Sequence, residues 1–428
     1  MITQRKGWDT AYEWKAVTLL TIGFGLVGLD RWIIGPLLPG ISADLHLNYQ
    51  DAGGVIGALG LAWGVAALVL GGLSDRIGRK KVLVPAIVLF SLLSGFTGMA
   101  GSLTTLLLFR AIMGVTEGAF CPTSFAATAE ASMPSRRGLL QGVQQSTFPL
   151  FGLAFAPIVA TQLLAITSWR WVFVLVAVPG LIIAALLAVT IREPGTIKES
   201  HAHALPRAQI SAVIQHRNVW LGMLSLCCAM AGIFVMSALV PSYLTEYLKL
   251  NNEQMGFITS AIGFGGFFGQ FGLPGLSDLF GRKIMAIIGF LGGAIFLYFF
   301  IQCGPSPGTL FALLFGTTIF AFGLFALITG PVATEAAPLG LISLAAGIII
   351  GTGEIFGGGV APFIAGAIAQ HYGIQFVLYF ALGGLLLGVL FSLFLQETAP
   401  SKAKSTVSCL DRPETKSNWM IRSEESQA

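Results

Sequence analysis

Four ionisable residues stand inside otherwise apolar stretches: Asp30 and Arg31 in GLDRWIIGPLLPG (28–40), and Arg110 and Glu117 in FRAIMGVTEGAF (109–120). Two acids and two guanidiniums suit proton transfer and anion recognition. A carboxyl whose surroundings set its proton affinity can take up or release a proton, and a freed guanidinium is a bidentate receptor for a carboxylate. Asp30 and Arg31 cannot neutralise each other, because helical neighbours point about 100° apart and side-chain pairs need i,i+3 or i,i+4 spacing. Each must find partners on other helices. Arg110 and Glu117 are seven apart and share one helix face, about 10 Å apart along the axis. Gly114 and Gly118 on the same segment allow another helix to pack closely.

The elements that hold these residues follow from composition. The 428 residues are 55% hydrophobic and 10% charged, with a mean hydropathy of +0.81. Soluble domains carry roughly 25% charged residues. Apolar runs of the length needed to cross a bilayer recur along the chain, at about 16–39, 52–72, 82–101, 104–131, 138–165, 169–191, 218–241, 254–274, 284–302, 308–335, 341–369 and 374–395. All twelve must be helices, since lipid offers no partner to an unpaired backbone group. An all-α, multi-pass membrane protein is therefore expected. The opening MITQRKGWDTAYEWK is polar and nothing after it resembles a cleavage site, so the first span stays in the mature protein. The cysteines (121, 227, 228, 303 and 409) show no redox or zinc spacing and read as small hydrophobes. No metal cluster, nucleotide-binding loop or nucleophile–base set appears, so neither a cofactor nor an enzyme is expected, and nucleic acid is not an expected partner.

With the N-terminus in the cytoplasm, twenty of the 24 Lys and Arg residues fall in cytoplasmic segments, and only Arg170 and Lys249 in outer loops. That bias predicts a cell-membrane protein with both termini inside. The predicted organisation is a cytoplasmic N-terminus (1–15), six helices (16–191), a cytoplasmic linker (192–217), six more helices (218–395) and a disordered polar tail (396–428). The halves repeat. GGLSDRIGRK (71–80) is echoed by PGLSDLFGRK (274–283), and FGLAFAP (151–157) by FGGGVAP (356–362), at offsets of 203 and 205. Duplicated six-helix units are typical of transporters.

The loop GLSDxxGRK, present at the cytoplasmic turn after spans 2 and 8, resembles the signature of the major facilitator superfamily. The resemblance covers residues 1–396 and implies two pseudo-symmetric six-helix bundles. It assigns Gly72, Asp75, Gly78, Arg79 and Lys80, with Asp278, Gly281, Arg282 and Lys283, to a conformational latch made in one transport state and broken in another. Each Asp could pair with the following base or cap a neighbouring helix N-terminus. Arg76 and Lys81 also read as topology anchors. LDR in span 1 with RxxxGxxEGxxxP in span 4 (Arg110 to Pro122) resembles the anion:cation symporter branch, whose members move sugar acids and other carboxylates with protons or sodium. That likeness makes Asp30 and Glu117 the proton-coupling acids, and Arg31 and Arg110 the groups that bind or gate substrate.

A charge at the bilayer centre costs at least about 2.5–3.5 kcal/mol, so buried ones face the bundle interior. Glu130 and Glu335, near span ends, are expected to pack at the interface. Glu354, deep in span 11, is either a substrate or coupling site or a packing hydrogen bond. Gln144, Gln145, Tyr243, Gln270 and Gln302 either line the cavity or bond between helices. The resulting expectation is a monomeric secondary transporter importing a small organic anion with protons, in preference to sodium. GLAFAP (152–157) leaves open an efflux antiporter of the same fold, and a ligand sensor that moves nothing is the remote alternative.

Overall fold

The computed structural model describes residues 8–47, 49–193, 206–338, 340–400 and 402. Residues 194–205 of the expected linker and 403–428 of the expected tail lie outside these. Among the described residues every regular element is a helix.

In the first half, α1 (Thr10–Trp32) and α2 (Ile34–Leu45) form one span interrupted at Ile33, followed by α3 (Tyr49–Leu70), the short α4 (Leu73–Ile77), α5 (Arg79–Thr97) and α6 (Leu103–Ala131). The fifth span is α7 (Arg137–Pro149), a π-helical stretch (Leu150–Phe155) and α8 (Ala156–Leu164); α9 (Trp169–Thr190) is the sixth. A linker helix, α10 (Pro206–Ile214), leads into the second half. There, α11 (Arg217–Ser242), α12 (Asn252–Phe280) and α13 (Arg282–Gln302) precede α14 (Pro307–Leu327), which runs through a π stretch into α15 (Ala333–Ala336). Then α16 (Ile342–Gly353) and α17 (Ala361–Tyr372) flank another π stretch, Glu354–Val360, and α18 (Gln375–Leu393) closes the bundle.

Eight of these segments are long and apolar enough to cross a membrane alone, and the bent fifth makes nine. The other three expected spans, at α3, α12 and α16–α17, are helical as well and rich in glycine; at α3 and α16 the apolar stretch is shorter, Gly57–Leu70 and Ile342–Gly358. The glycines are there because these helices meet across the two halves. A Cβ on Gly71, just after α3, would come within 2.7 Å of the Gly347 Cα on α16, and one on Gly142 of α7 within 2.5 Å of the Gln270 carbonyl on α12. Only glycine lets the backbones approach so closely.

Inside the first half, α6 lies on α3 in the same way. A Cβ on Gly114 would come within 2.3 Å of the Leu59 carbonyl oxygen, and one on Gly118 within 2.5 Å of the Trp63 carbonyl oxygen. This contact sets Gly118, next to Glu117, against Trp63.

Candidate substrate site and its latches

A cavity of about 1230 Å³ runs between the halves, with Arg31, Trp32, Arg110, Phe234 and Glu354 in its wall. Its other walls come largely from the first halves of α3 and α12, including Gly57, Leu61, Thr259 and Ser260. The signature loops follow the opposite ends of those helices. The cavity therefore opens at the end away from the basic loops.

The four charged residues of the opening argument do converge, through different atoms from those expected. Pro36 lacks the N–H that would meet the Trp32 carbonyl one turn back, just beyond the Ile33 break. Arg110, 1% exposed, braces the same turn: its guanidinium donates to the backbone oxygens of Asp30 (3.0 Å) and Arg31 (3.1 Å). The Asp30 carboxyl accepts from Ser94 Oγ at 2.8 Å. Glu117 is fully buried and neither of its carboxyl oxygens has a hydrogen-bond partner. An ionised carboxylate buried without partners is very costly.

Arg31 turns away from Asp30 and crosses to the other half. Its guanidinium faces both carboxylate oxygens of Glu354, at 3.4 and 3.5 Å. It also lies 4.5 Å from the Trp63 ring centroid and 5.9 Å from that of Phe234, in cation–π contact. Glu354 is thus the partner that Asp30 could not be.

The remaining expected cavity residues sit elsewhere. Gln145 bridges the halves, donating to the Ala326 carbonyl at 3.2 Å and accepting from Thr329 at 2.8 Å. Gln144 is buried with both amide atoms unpartnered. Tyr243 packs against Tyr247 and Phe300, with ring centroids 5.2 and 6.0 Å away. None of the three lines the large cavity, whereas Gln270 lines a smaller chamber beside it.

The signature loops close the opposite end, twice over. Asp75 accepts from the backbone N–H groups of Ser343 (3.1 Å) and Leu344 (2.7 Å), in the first turn of α16. Asp278 accepts from those of Gly138 (3.1 Å) and Leu139 (2.8 Å), in the first turn of α7. Each carboxylate thus sits at the positive end of a helix from the other half. Arg79 pairs with Asp75 and with Glu130 (2.7 Å), and Arg282 with Asp278 (2.7 Å) and Glu335 (2.9 Å). Arg79 also donates to Ser74 Oγ (2.8 Å), and Arg282 to Ser277 Oγ (2.6 Å). Burial pushes the Asp75 carboxyl above its ordinary value despite Arg79.

Glu130 and Glu335, expected as interfacial packing, are members of these networks. Sequence reasoning missed Glu193 and Glu397 altogether. Glu193 accepts from the backbone N–H groups of Arg79 and Lys80, both at 2.9 Å, and Glu397 from those of Arg282 (2.8 Å) and Lys283 (3.3 Å). Gly78 and Gly281 stand at φ +106° and +104°, where a Cβ would also strike these carboxylates. A signal existed: Glu193 and Glu397 end the sixth and twelfth spans 204 residues apart.

The sequence profile described as Major Facilitator Superfamily matches residues 20–274 and 222–420. The chain belongs to that superfamily, and is a membrane transporter and not an enzyme. It is 28% identical to the probable 4-methylmuconolactone transporter of Cupriavidus pinatubonensis, covering 82% of this chain and 83% of the relative. It is 27% identical to the hexuronate transporter of Bacillus subtilis, covering 77% and 75%. Among solved structures it resembles the transporter FucP in its outward conformation, with a TM-score of 0.69 at 15% identity, covering 88% of this chain and 98% of the other.

Proposed function

We propose that the chain imports a small organic anion across the cell membrane by proton symport, working as a monomer with both termini in the cytoplasm. The observation that carries this reading is the Arg31–Glu354 pair: a cavity-facing guanidinium held between the two halves, with Asp30, Arg110 and Glu117 behind it. The relatives named as a hexuronate transporter and a probable 4-methylmuconolactone transporter fit the same reading. Arg31 takes the substrate carboxylate and Arg110 holds the broken first span in register. Asp30 and Glu117 carry the proton. Glu354 contributes to the substrate site, and Gln144, Gln145 and Tyr243 serve the interface and bundle around it.

The arrangement of the latches supports an alternating-access cycle in which this structure is the outward-facing state. Asp75 and Asp278 hold the cytoplasmic side shut, and both must release before the cavity can open inward. The test is uptake of labelled carboxylates into proteoliposomes under an inside-alkaline pH gradient. Accumulation is expected for the native chain and its loss for Asp30→Asn, with counterflow exchange retained. Full accumulation by Asp30→Asn would remove Asp30 from the coupling role, and export of a hydrophobic cation instead would sink the import reading.

A further inference from the structure

Beside the large cavity, at the level of Arg31 and Glu354, lies a second chamber of about 60 Å³. Its walls are mainly rings: Trp32, Trp63, Phe148, Phe234, Phe322 and Phe325. Trp63 and Phe148 meet edge to face at 6.0 Å, which leaves ring faces and edges as the lining. Three polar atoms here are buried and unpartnered: the indole N–H groups of Trp32 and Trp63 and the Oε1 of Gln270, a residue 1% exposed. A buried, unpartnered group beside an open chamber has the directional capacity to bind something else.

Besides Arg31, Arg110 and Glu354, the polar side chains lining these spaces are few, with Ser237 facing both. Thr259 and Ser260, in the large cavity, donate their hydroxyls to their own helix, to the carbonyls of Met255 (2.9 Å) and Phe257 (2.7 Å). A sugar acid brings a hydroxyl on nearly every carbon, and each one buried without a partner costs about 1–3 kcal/mol. A flat ring loses nothing of the kind and gains from stacking and edge contacts with the walls. At the mouth of the chamber, a single guanidinium already holds a single carboxylate, that of Glu354.

We infer that the substrate is a planar, largely apolar monocarboxylate, an aryl or conjugated unsaturated acid. Its carboxylate takes the place of Glu354 on Arg31, and the edge of its ring enters the aromatic chamber from the large cavity between Trp32 and Phe234, which line both spaces. One hydrogen-bond donor on the ring would meet Gln270 Oε1. Glu354 is then a tethered stand-in that satisfies Arg31 until substrate arrives, and so sets how strong an anion must be to displace it. The inference rests on the reading of the chain as an organic-anion transporter and narrows it to one chemical class.

The test is calorimetric binding of 4-hydroxybenzoate and of gluconate to the full chain in lipid nanodiscs. 4-Hydroxybenzoate should bind at least about tenfold more tightly than gluconate. Trp63→Leu and Phe234→Leu should each weaken 4-hydroxybenzoate by about three- to tenfold, and gluconate, which touches only the Arg31 they support, by less. Two substitutions guard against one that fails to fold. Glu354→Gln should tighten 4-hydroxybenzoate several-fold, because the internal competitor is gone. Gluconate binding as tightly as 4-hydroxybenzoate, or weakening of 4-hydroxybenzoate by Glu354→Gln, overturns the inference. If gluconate is bound and accumulated on the proton gradient while 4-hydroxybenzoate is ignored, the inference falls and the transport function stands. If the folded native chain binds neither acid and accumulates no carboxylate, both fall.

Discussion

The two halves of the molecule are near copies at their basic ends and unlike each other at the centre. At the basic end, Ser74, Asp75, Arg79, Glu130 and Glu193 correspond to Ser277, Asp278, Arg282, Glu335 and Glu397 at offsets of 203–205. The bonds correspond as well, down to a glycine with positive φ before each Arg. At the centre the same offsets carry Asp30 and Arg31 onto Ile233–Met236, Arg110 onto Leu313–Phe315, and Glu117 onto Phe320–Phe322, all apolar. Phe234, which lies under the Arg31 guanidinium, occupies the region equivalent to Asp30. The duplicated parts are those that any rocking motion needs on both sides. The charges that would do chemistry sit in one half, and the other supplies a single acid, Glu354, and a ring.

The largest effects should come from the unduplicated charges. Glu117→Gln removes a titratable group without changing shape, and it leaves no broken pair because Glu117 has no partner. Proton-driven accumulation should fall to background while exchange of substrate across the membrane continues, measured in proteoliposomes with and without the pH gradient. Retained accumulation would move the coupling elsewhere, to Asp30 alone or to Glu354. Arg31→Gln comes next. It removes a charge-assisted contact of about 1.5–3 kcal/mol, so substrate affinity should drop by about 10- to 100-fold. A change under twofold would mean that Arg31 serves only to tie the halves together.

The duplicated latches provide a matched pair. Asp75→Asn and Asp278→Asn each weaken two charge-assisted bonds to a helix N-terminus of the opposite half, worth together about 1.5–3 kcal/mol. Each should shift the balance between outward- and inward-open states by about 10- to 100-fold, read from spin-label distances across the basic end. Because the geometry is repeated, the two shifts should agree within about threefold. A large shift from one and none from the other would show that the repetition is structural history and that only one seam moves.

Much of this was legible in the chain. Apolar run length placed twelve helices, and the repeated GLSDxxGRK marked two equivalent helix ends, whose reading as latches comes from the superfamily resemblance. The incompatibility of adjacent Asp30 and Arg31 as a pair was likewise visible from helix geometry alone. What could not be read was which atoms would meet across helices. Arg110 bonds to the backbone carbonyls of Asp30 and Arg31 beside the break at Ile33, and a side-chain pattern does not encode contacts to backbone. Glu354 finds Arg31 across 323 residues of chain, and Trp63 is an unremarkable aromatic until the close seam at Gly114 and Gly118 sets it beside the site. Gln144, Gln145 and Tyr243 looked equally suited to the cavity because a polar residue in an apolar span must face inward, and the interior holds seams as well as the cavity.

The smallest expected effects belong to Glu193 and Glu397, and they separate motion from stability. Each caps the first turn of the helix after the signature loop, but from its own half: Glu193 follows α9 and binds the start of α5, and Glu397 follows α18 and binds the start of α13. A bond made within one rigid bundle is the same in every state of a rocking cycle and cannot bias it. Glu193→Gln and Glu397→Gln should therefore each cost about 0.5–1 kcal/mol of stability through the helix N-terminus. That loss should appear as a lower thermal midpoint in detergent, with the inward–outward balance unmoved. If either substitution shifts the spin-label distances as far as Asp75→Asn does, the bundles are not rigid at that corner. The latch would then include the end of the sixth or twelfth span, and the boundary between moving and static parts would pass through Gly78 and Gly281.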